Sequence, residues 1–186
     1  LAHIDYLEAS VRELDAHLVA GLDSPAEKNA LALLQTVPGI DVIGAAMLLV
    51  EIGTTMALFA TPSHLASWAG LCPGNNRSAG KRKRERQRKG NTYVRRLLCE
   101  FAQAARKTQS MFKIKHKALA ITKGFKRAIM ACAHKMLRII WAMLLRNQPY
   151  RDATVDYQAL SVRRNAPRWI RALKRYGYLP ASAATR

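Results

Sequence analysis

Carboxylates are scarce in most of this 186-residue chain: of its 12 Asp and Glu residues, only Glu85, Glu100, Asp152 and Asp156 lie beyond residue 51. A two-metal nuclease needs several carboxylates converging on its ions, and these four, one inside a cationic run and the others on separate elements, do not provide that cluster. Cysteine is sparse too. Cys72, Cys99 and Cys132 are odd in number with no close pair, and no Cys/His spacing resembles a zinc site. Neither a disulfide framework nor a structural metal is indicated, and a reducing, cytosolic setting fits. The longest apolar stretch, Val42 to Val50, is far below the ~20 residues of a spanning helix. Strand-like alternation is sustained nowhere, and the five histidines show no ligand spacing. A serine-hydrolase elbow is missing as well, because Ser78 lies in Asn76-Arg77-Ser78-Ala79-Gly80 with no strand before it.

What the chain has in excess is positive charge: 31 Lys and Arg give a net +19. With 49% hydrophobic residues it can nevertheless bury a core, unlike a basic disordered tail. The charge is unevenly placed. Residues 1–51 hold two basic and eight acidic residues, a net of −6, and residues 52–186 hold 29 and four, a net of +25. A polyanion partner for the second part follows.

Helical periodicity dominates. Ile4, Leu7, Val11, Leu14 and Leu18 recur at steps of three and four, predicting an amphipathic helix. Ser24-Pro25-Ala26-Glu27 combines an N-cap, a proline at the first helical position and a capping-box glutamate, so a second helix should run to about Thr36. These two could form a hairpin or a coiled-coil arm. The first residues already read as helix, which predicts that the sequence is the C-terminal part of a longer protein. Val37-Pro38-Gly39-Ile40 between helices is a helix-hairpin-helix pattern that could hold a phosphate on backbone N–H groups or simply join two core helices. Asp41 and the lack of Lys or Arg there weaken the phosphate reading.

Thr61-Pro62 starts a short helix that should stop at Gly70, and Cys72-Pro73-Gly74-Asn75-Asn76 breaks regular structure. Eight of the thirteen residues from Arg77 to Lys89 are basic and none is a large hydrophobe, so this run cannot be core; it reads as a loop or short hairpin that binds nucleic acid. Further helices are expected from Asn91, a plausible N-cap, to about Thr108, from Ser110 to Thr122 and from Phe125 to Arg146. Val155 to Val162 reads as a short helix, and Asn165 as the cap of a last one from Pro167 to Tyr176. The fold class is all-α, with a helical arm over 1–29, a domain over 30–178 and a frayed tail over 179–186.

A serine in a Gly-flanked loop surrounded by arginines is chemically suited to take a phosphoryl group from a DNA phosphodiester, the guanidinium groups neutralising the nonbridging oxygens. The residues alone leave open that Ser78 is a solvated linker residue.

Leu65-Ala66-Ser67-Trp68-Ala69-Gly70-Leu71-Cys72-Pro73-Gly74-Asn75-Asn76-Arg77-Ser78-Ala79-Gly80-Lys81-Arg82, then Arg88-Lys89-Gly90-Asn91 and Val94-Arg95-Arg96-Leu97-Leu98, closely resemble the C-terminal Tnp domain of one family of bacterial insertion-sequence transposases. The Pro38-Gly39 turn, Lys126-Arg127-Ala128-Ile129, Ala133-His134 and Pro149-Tyr150-Arg151 are similar as well, so the resemblance covers about residues 30–178. It implies a DNA recombinase in which Ser78 is the catalytic nucleophile. It also implies an N-terminal RuvC-like domain with four acidic metal-binding residues, a coiled-coil region and, in some members, an element-encoded bridge RNA as guide. Gly80, Lys89, Gly90, Asn91 and Arg95 match the motif downstream of the serine. Val94 stands where leucine is usual, and Arg77 stands where many relatives carry an acid.

From the basic run together with this motif, Arg77, Lys81, Arg82, Lys83, Arg84, Arg86, Arg88, Lys89, Asn91 and Arg95 are expected to contact nucleic acid. Pro73, Gly74, Gly80 and Gly90 are expected to shape the loop. No cofactor is expected in this chain, Mg2+ being held by the acidic domain. DNA, and in some members a guide RNA, would be the partners of a homo-oligomer joined through the helical arm, in the bacterial cytoplasm at the nucleoid. A noncatalytic helix-hairpin-helix module and a decayed remnant of such an element are the competing readings.

Overall fold

Helix boundaries fall where a side chain or a turn closes the backbone. In this computed structural model, which describes residues 1–72, 90–152 and 157–180 and the backbone pairing of 77–78 with 81–82, the described residues form eight helices. They are α1 (Ala2–Ala20), α2 (Pro25–Gln35), α3 (Val42–Ile52), α4 (Pro62–Trp68), α5 (Thr92–Ala105), α6 (Met111–Lys123), α7 (Phe125–Arg146) and α8 (Tyr157–Arg175), with a 3₁₀ turn at Met56–Leu58. The fold is all-α, as the periodicity predicts. Two strands of two residues each, β1 (Arg77–Ser78) and β2 (Lys81–Arg82), pair antiparallel.

The capping box at α2 forms as its sequence dictates: Ser24 Oγ accepts from Glu27 N at 3.3 Å, and the Glu27 carboxylate accepts from Ser24 N at 3.1 Å. Asp41 caps α3 by accepting from Gly44 N at 2.8 Å. The cap of α6 is less local. Ser110 occupies the N-cap position without capping, and the Asp152 carboxylate instead accepts from Met111 N at 3.1 and 3.2 Å.

Around α7 the other helices assemble. Its Ile129, Cys132, Ala133, Met136, Leu137 and Ile140 are buried, and α2, α4, α5 and α6 pack on it. By length and composition alone α7 is apolar enough to cross a membrane, but its Ile129, Cys132, Ala133, Met136, Leu137 and Ile140 lie in the core of this bundle. Trp141 Nε1 donates to Phe59 O at 2.9 Å and ties α7 to the 3₁₀ turn. α3 and α5 approach so closely that a Cβ on Gly44 would lie 2.5 Å from the Phe101 ring.

Two elements differ from the reading by periodicity. α1 meets α3 rather than α2, so the first two helices do not form a hairpin among the described residues. α8 is one helix running through Pro167, not two broken before it. Proline removes an N–H and crowds the carbonyl four residues back, a cost of ~3 kcal/mol. The apolar face of Val162, Ala166, Trp169, Ile170 and Leu173 nevertheless continues in helical register across the proline, and α8 packs on α6.

Candidate nucleic-acid interface

α4 is opened by Thr61, whose hydroxyl accepts from His64 N at 3.2 Å, and closed by Gly70. Gly70 has φ +68°, its N–H reaches Ser67 O at 3.0 Å, and Leu71 N reaches Ala66 O at 2.9 Å. This is the Schellman stop that the Gly70 position predicts. Leu71 is buried, and the chain leaves the helical body there.

It returns at the same point. A Cβ on Gly90 would lie 2.3 Å from Gly70 N and 2.6 Å from Trp68 O, and Asn91 N donates to Trp68 O at 3.0 Å. Glycine is required at position 90 by this close backbone approach rather than by its dihedral angles. Asn91 completes the junction. Its side-chain oxygen accepts from Tyr93 N at 2.9 Å and Val94 N at 3.1 Å, capping α5, and its Nδ2 donates to the Glu51 carboxylate at 2.7 Å. The ends of α3, α4 and α5 therefore meet in a neck, where the chain departs after Leu71 and Cys72 and returns at Gly90.

Within that segment the register sets Ser78 opposite Lys81 and Arg77 opposite Arg82. The side chains of these four, and Pro73, Gly74, Gly80, Lys83, Arg84, Arg86, Arg88 and Lys89 altogether, lie outside the described residues. Arg95, on the first turn of α5, is half-buried beside the exposed Arg96.

Next to the neck is a group of cations that no local motif announces. Cys72 Sγ lies 4.0 Å from His134 Nε2 on α7 and 3.9 Å from Ser63 O. Burial holds the His134 imidazole below its ordinary pKa, and the positive charges of Arg138, Lys115 and Lys135 add to this, favouring the neutral ring. Burial brings Lys115 down to about 8, with Lys135 and Arg138 acting in the same direction against the pull of Cys132. The buried Cys132 thiol is pushed up to about 11, which makes it an inert core group rather than a nucleophile. α6 and α7 contain no acidic residue at all, so these cations meet no carboxylate on their own helices. Among the described residues no three His, Cys, Asp or Glu side chains come together as a metal site.

The Pro38-Gly39 turn is built differently. Gly39 has φ +87°, and a Cβ there would lie 2.6 Å from Ala105 N and 2.7 Å from Phe101 O, so the turn is packed against the end of α5. The α3 N-terminus behind it is already occupied by the Asp41 carboxylate. In this geometry the turn joins core helices.

Residues 31–117 match the family model described as Transposase IS116/IS110/IS902 family. Over 134 residues the chain is 33% identical to the "Insertion element IS900 uncharacterized 42 kDa protein" of Mycobacterium paratuberculosis, an alignment that takes in 68% of this chain and 32% of that protein. The chain thus spans about a third of the length of the curated relative it matches. The family match runs from α2 into α6 and includes the neck, Ser78 and Arg95.

Proposed function

We propose that this chain, whose residues 31–117 match the IS116/IS110/IS902 transposase model, acts in DNA transposition, binding DNA through the basic run and cleaving and rejoining strands with Ser78. The observation that carries this reading is the neck. In sequence a serine and eight basic residues lie between Gly70 and Gly90, whose backbones are in contact at helix ends tied by Asn91.

In the proposed step Ser78 Oγ bonds to the phosphorus of a DNA phosphodiester while one deoxyribose oxygen leaves. The serine proton passes to a base, the leaving oxygen takes up a proton, and the new serine phosphoester conserves the bond for rejoining. Arg77, Lys81, Arg82, Lys83, Arg84, Arg86, Arg88, Lys89 and Arg95 neutralise phosphate charge, while Asn91 keeps the neck closed. Mg2+, held by an acidic RuvC-like domain of the longer protein, would supply additional charge stabilisation at the phosphate. This chain, lacking that carboxylate set among its described residues, would bind nucleic acid without recombining it. A guide RNA could share the basic surface.

The arm fits assembly. α1 has no buried residue, and its Ile4, Leu7, Val11 and Leu14 are 48–68% exposed at heptad spacing, as expected of one strand of a coiled coil between copies.

Joined to its acidic domain and given element-end DNA with any guide RNA, the protein should form a serine-linked DNA adduct that Ser78→Ala abolishes. An adduct that persists in Ser78→Ala overturns the assignment.

A further inference from the structure

Away from the neck, α8 concentrates positive charge that the family match does not reach. With 3.6 residues per turn, Arg164, Arg168, Arg171 and Arg175 recur at i, i+4, i+7 and i+11 and line one face. Val162, Ala166, Trp169, Ile170 and Leu173 line the opposite one. Ala166, central to the apolar face, is half-buried, and α8 packs on α6. All four arginines are exposed. No acidic residue follows Asp156 and none occurs in α6, so nothing on these helices offsets them. Arg171 Nε donates to Pro167 O at 3.2 Å, which uses one of its five guanidinium donors.

Like charges at this spacing repel by a few tenths of a kcal/mol per pair. A polyanion reverses that cost. The stripe is about 16 Å long, and a DNA duplex places roughly ten phosphates along such a span. Single strands are gripped by aromatic side chains stacked on unpaired bases. Here the large aromatic, Trp169, lies on the face opposite the arginines. A membrane surface would need the whole apolar face inserted, and α6 already covers part of it, leaving Val162, Trp169, Ile170 and Leu173 41–51% exposed. We propose that the Arg164, Arg168, Arg171 and Arg175 face of α8 is a second nucleic-acid site, which tracks the phosphate backbone of double-stranded DNA without reading its sequence.

This inference rests on the DNA-binding reading of the chain, and the test separates the two. Binding of the whole chain to a duplex of arbitrary sequence is measured between 50 and 200 mM salt, for the native protein and for the quartet variant Arg164→Gln, Arg168→Gln, Arg171→Gln, Arg175→Gln. Four lost phosphate contacts should flatten the slope of log K against log salt by about 3.6, so that the native protein loses roughly 150-fold more affinity than the variant across that range. The same four positions changed to Lys keep charge and helix propensity and should retain the slope. If the Lys variant loses as much as the Gln variant, a structural defect is responsible and the inference falls.

An unchanged slope in the Gln variant also overturns it, as does a loss confined to single-stranded DNA. A loss confined to phosphatidylserine vesicles would assign the face to lipid instead. A parallel variant with Lys81, Arg82, Lys83 and Arg84 changed to Gln distinguishes the failures. If it alone loses slope, the α8 site is refuted and the loop reading stands. If the α8 quartet alone loses slope, the α8 site stands and the loop reading falls.

Discussion

Two junctions in this molecule require glycine because backbones nearly touch, and they do opposite things. At the Pro38-Gly39 turn the chain folds back under α5, an acidic residue caps the next helix, and there is no Lys or Arg from residue 29 to residue 76. At the Gly70/Gly90 neck the same kind of approach opens into the densest positive charge of the sequence, beside Lys115, Lys135 and Arg138. Close backbone approach is therefore common to packing and to presentation. The charge around the junction distinguishes them.

Exchanging the glycines should break the comparison most sharply. Gly39→Val meets backbone atoms and must also adopt φ +87°, so it should destabilise the protein by about 2–5 kcal/mol in denaturant unfolding while the folded fraction binds DNA normally. Gly90→Val meets backbone without a dihedral penalty and should destabilise by about 1–3 kcal/mol. Its DNA affinity should fall even at temperatures where it is fully folded. Equal binding defects in the two would mean that the neck has no special part in presenting the basic run.

Asn91→Ala should cost about 1–2 kcal/mol, combining a lost N-cap with a lost bond to Glu51, and Asn91→Ser should recover the cap alone. Amide exchange at Tyr93 and Val94 reads the cap directly.

A pH-dependent effect sharpens the electrostatic half of the comparison. Lys115 is held near pKa 8 in the folded protein, below the 10.5 of a free lysine, so its charged form is disfavoured by folding. Lys115→Met should therefore be more stable than the native protein at pH 7. The difference should shrink as pH rises from about 8 to 10.5, where the lysine is neutral in both states. Removing Lys115 also removes its pull on the Cys132 thiol, so the difference is read below about pH 9, where that thiol keeps its proton folded or unfolded. A stability difference independent of pH would mean that Lys115 is not desolvated.

The legible parts of the fold are those whose causes are local. Ser24 with Glu27, Thr61 with Pro62, Asn91 before α5 and Gly70 after α4 each act within four residues, and a single sequence shows them. The buried face of α7 was legible for the same reason, because Ile129, Ala133, Met136 and Ile140 repeat at helical spacing. Illegible were contacts made across the chain: Asp152 capping α6 from 41 residues away, His134 beside Cys72 across 62, and Glu51 bonded to Asn91 across 40. Local grammar also misled at Pro167, where α8 runs through a strong stop signal. For the site, the serine and the basic run were visible as composition and resemblance. That Gly90 is fixed by contact with Gly70 was not.

Pinning both ends of a segment together has a further consequence for its length. Closing a loop costs entropy that grows only with the logarithm of its length, about 0.6 kcal/mol per doubling, and here the closure is made by the body itself. By that entropic term, a change in the length of chain between Cys72 and Gly90 costs the closure little. The neck is thus a socket, closed by its own backbone contacts at Gly70 and Gly90 whatever the length of chain between them.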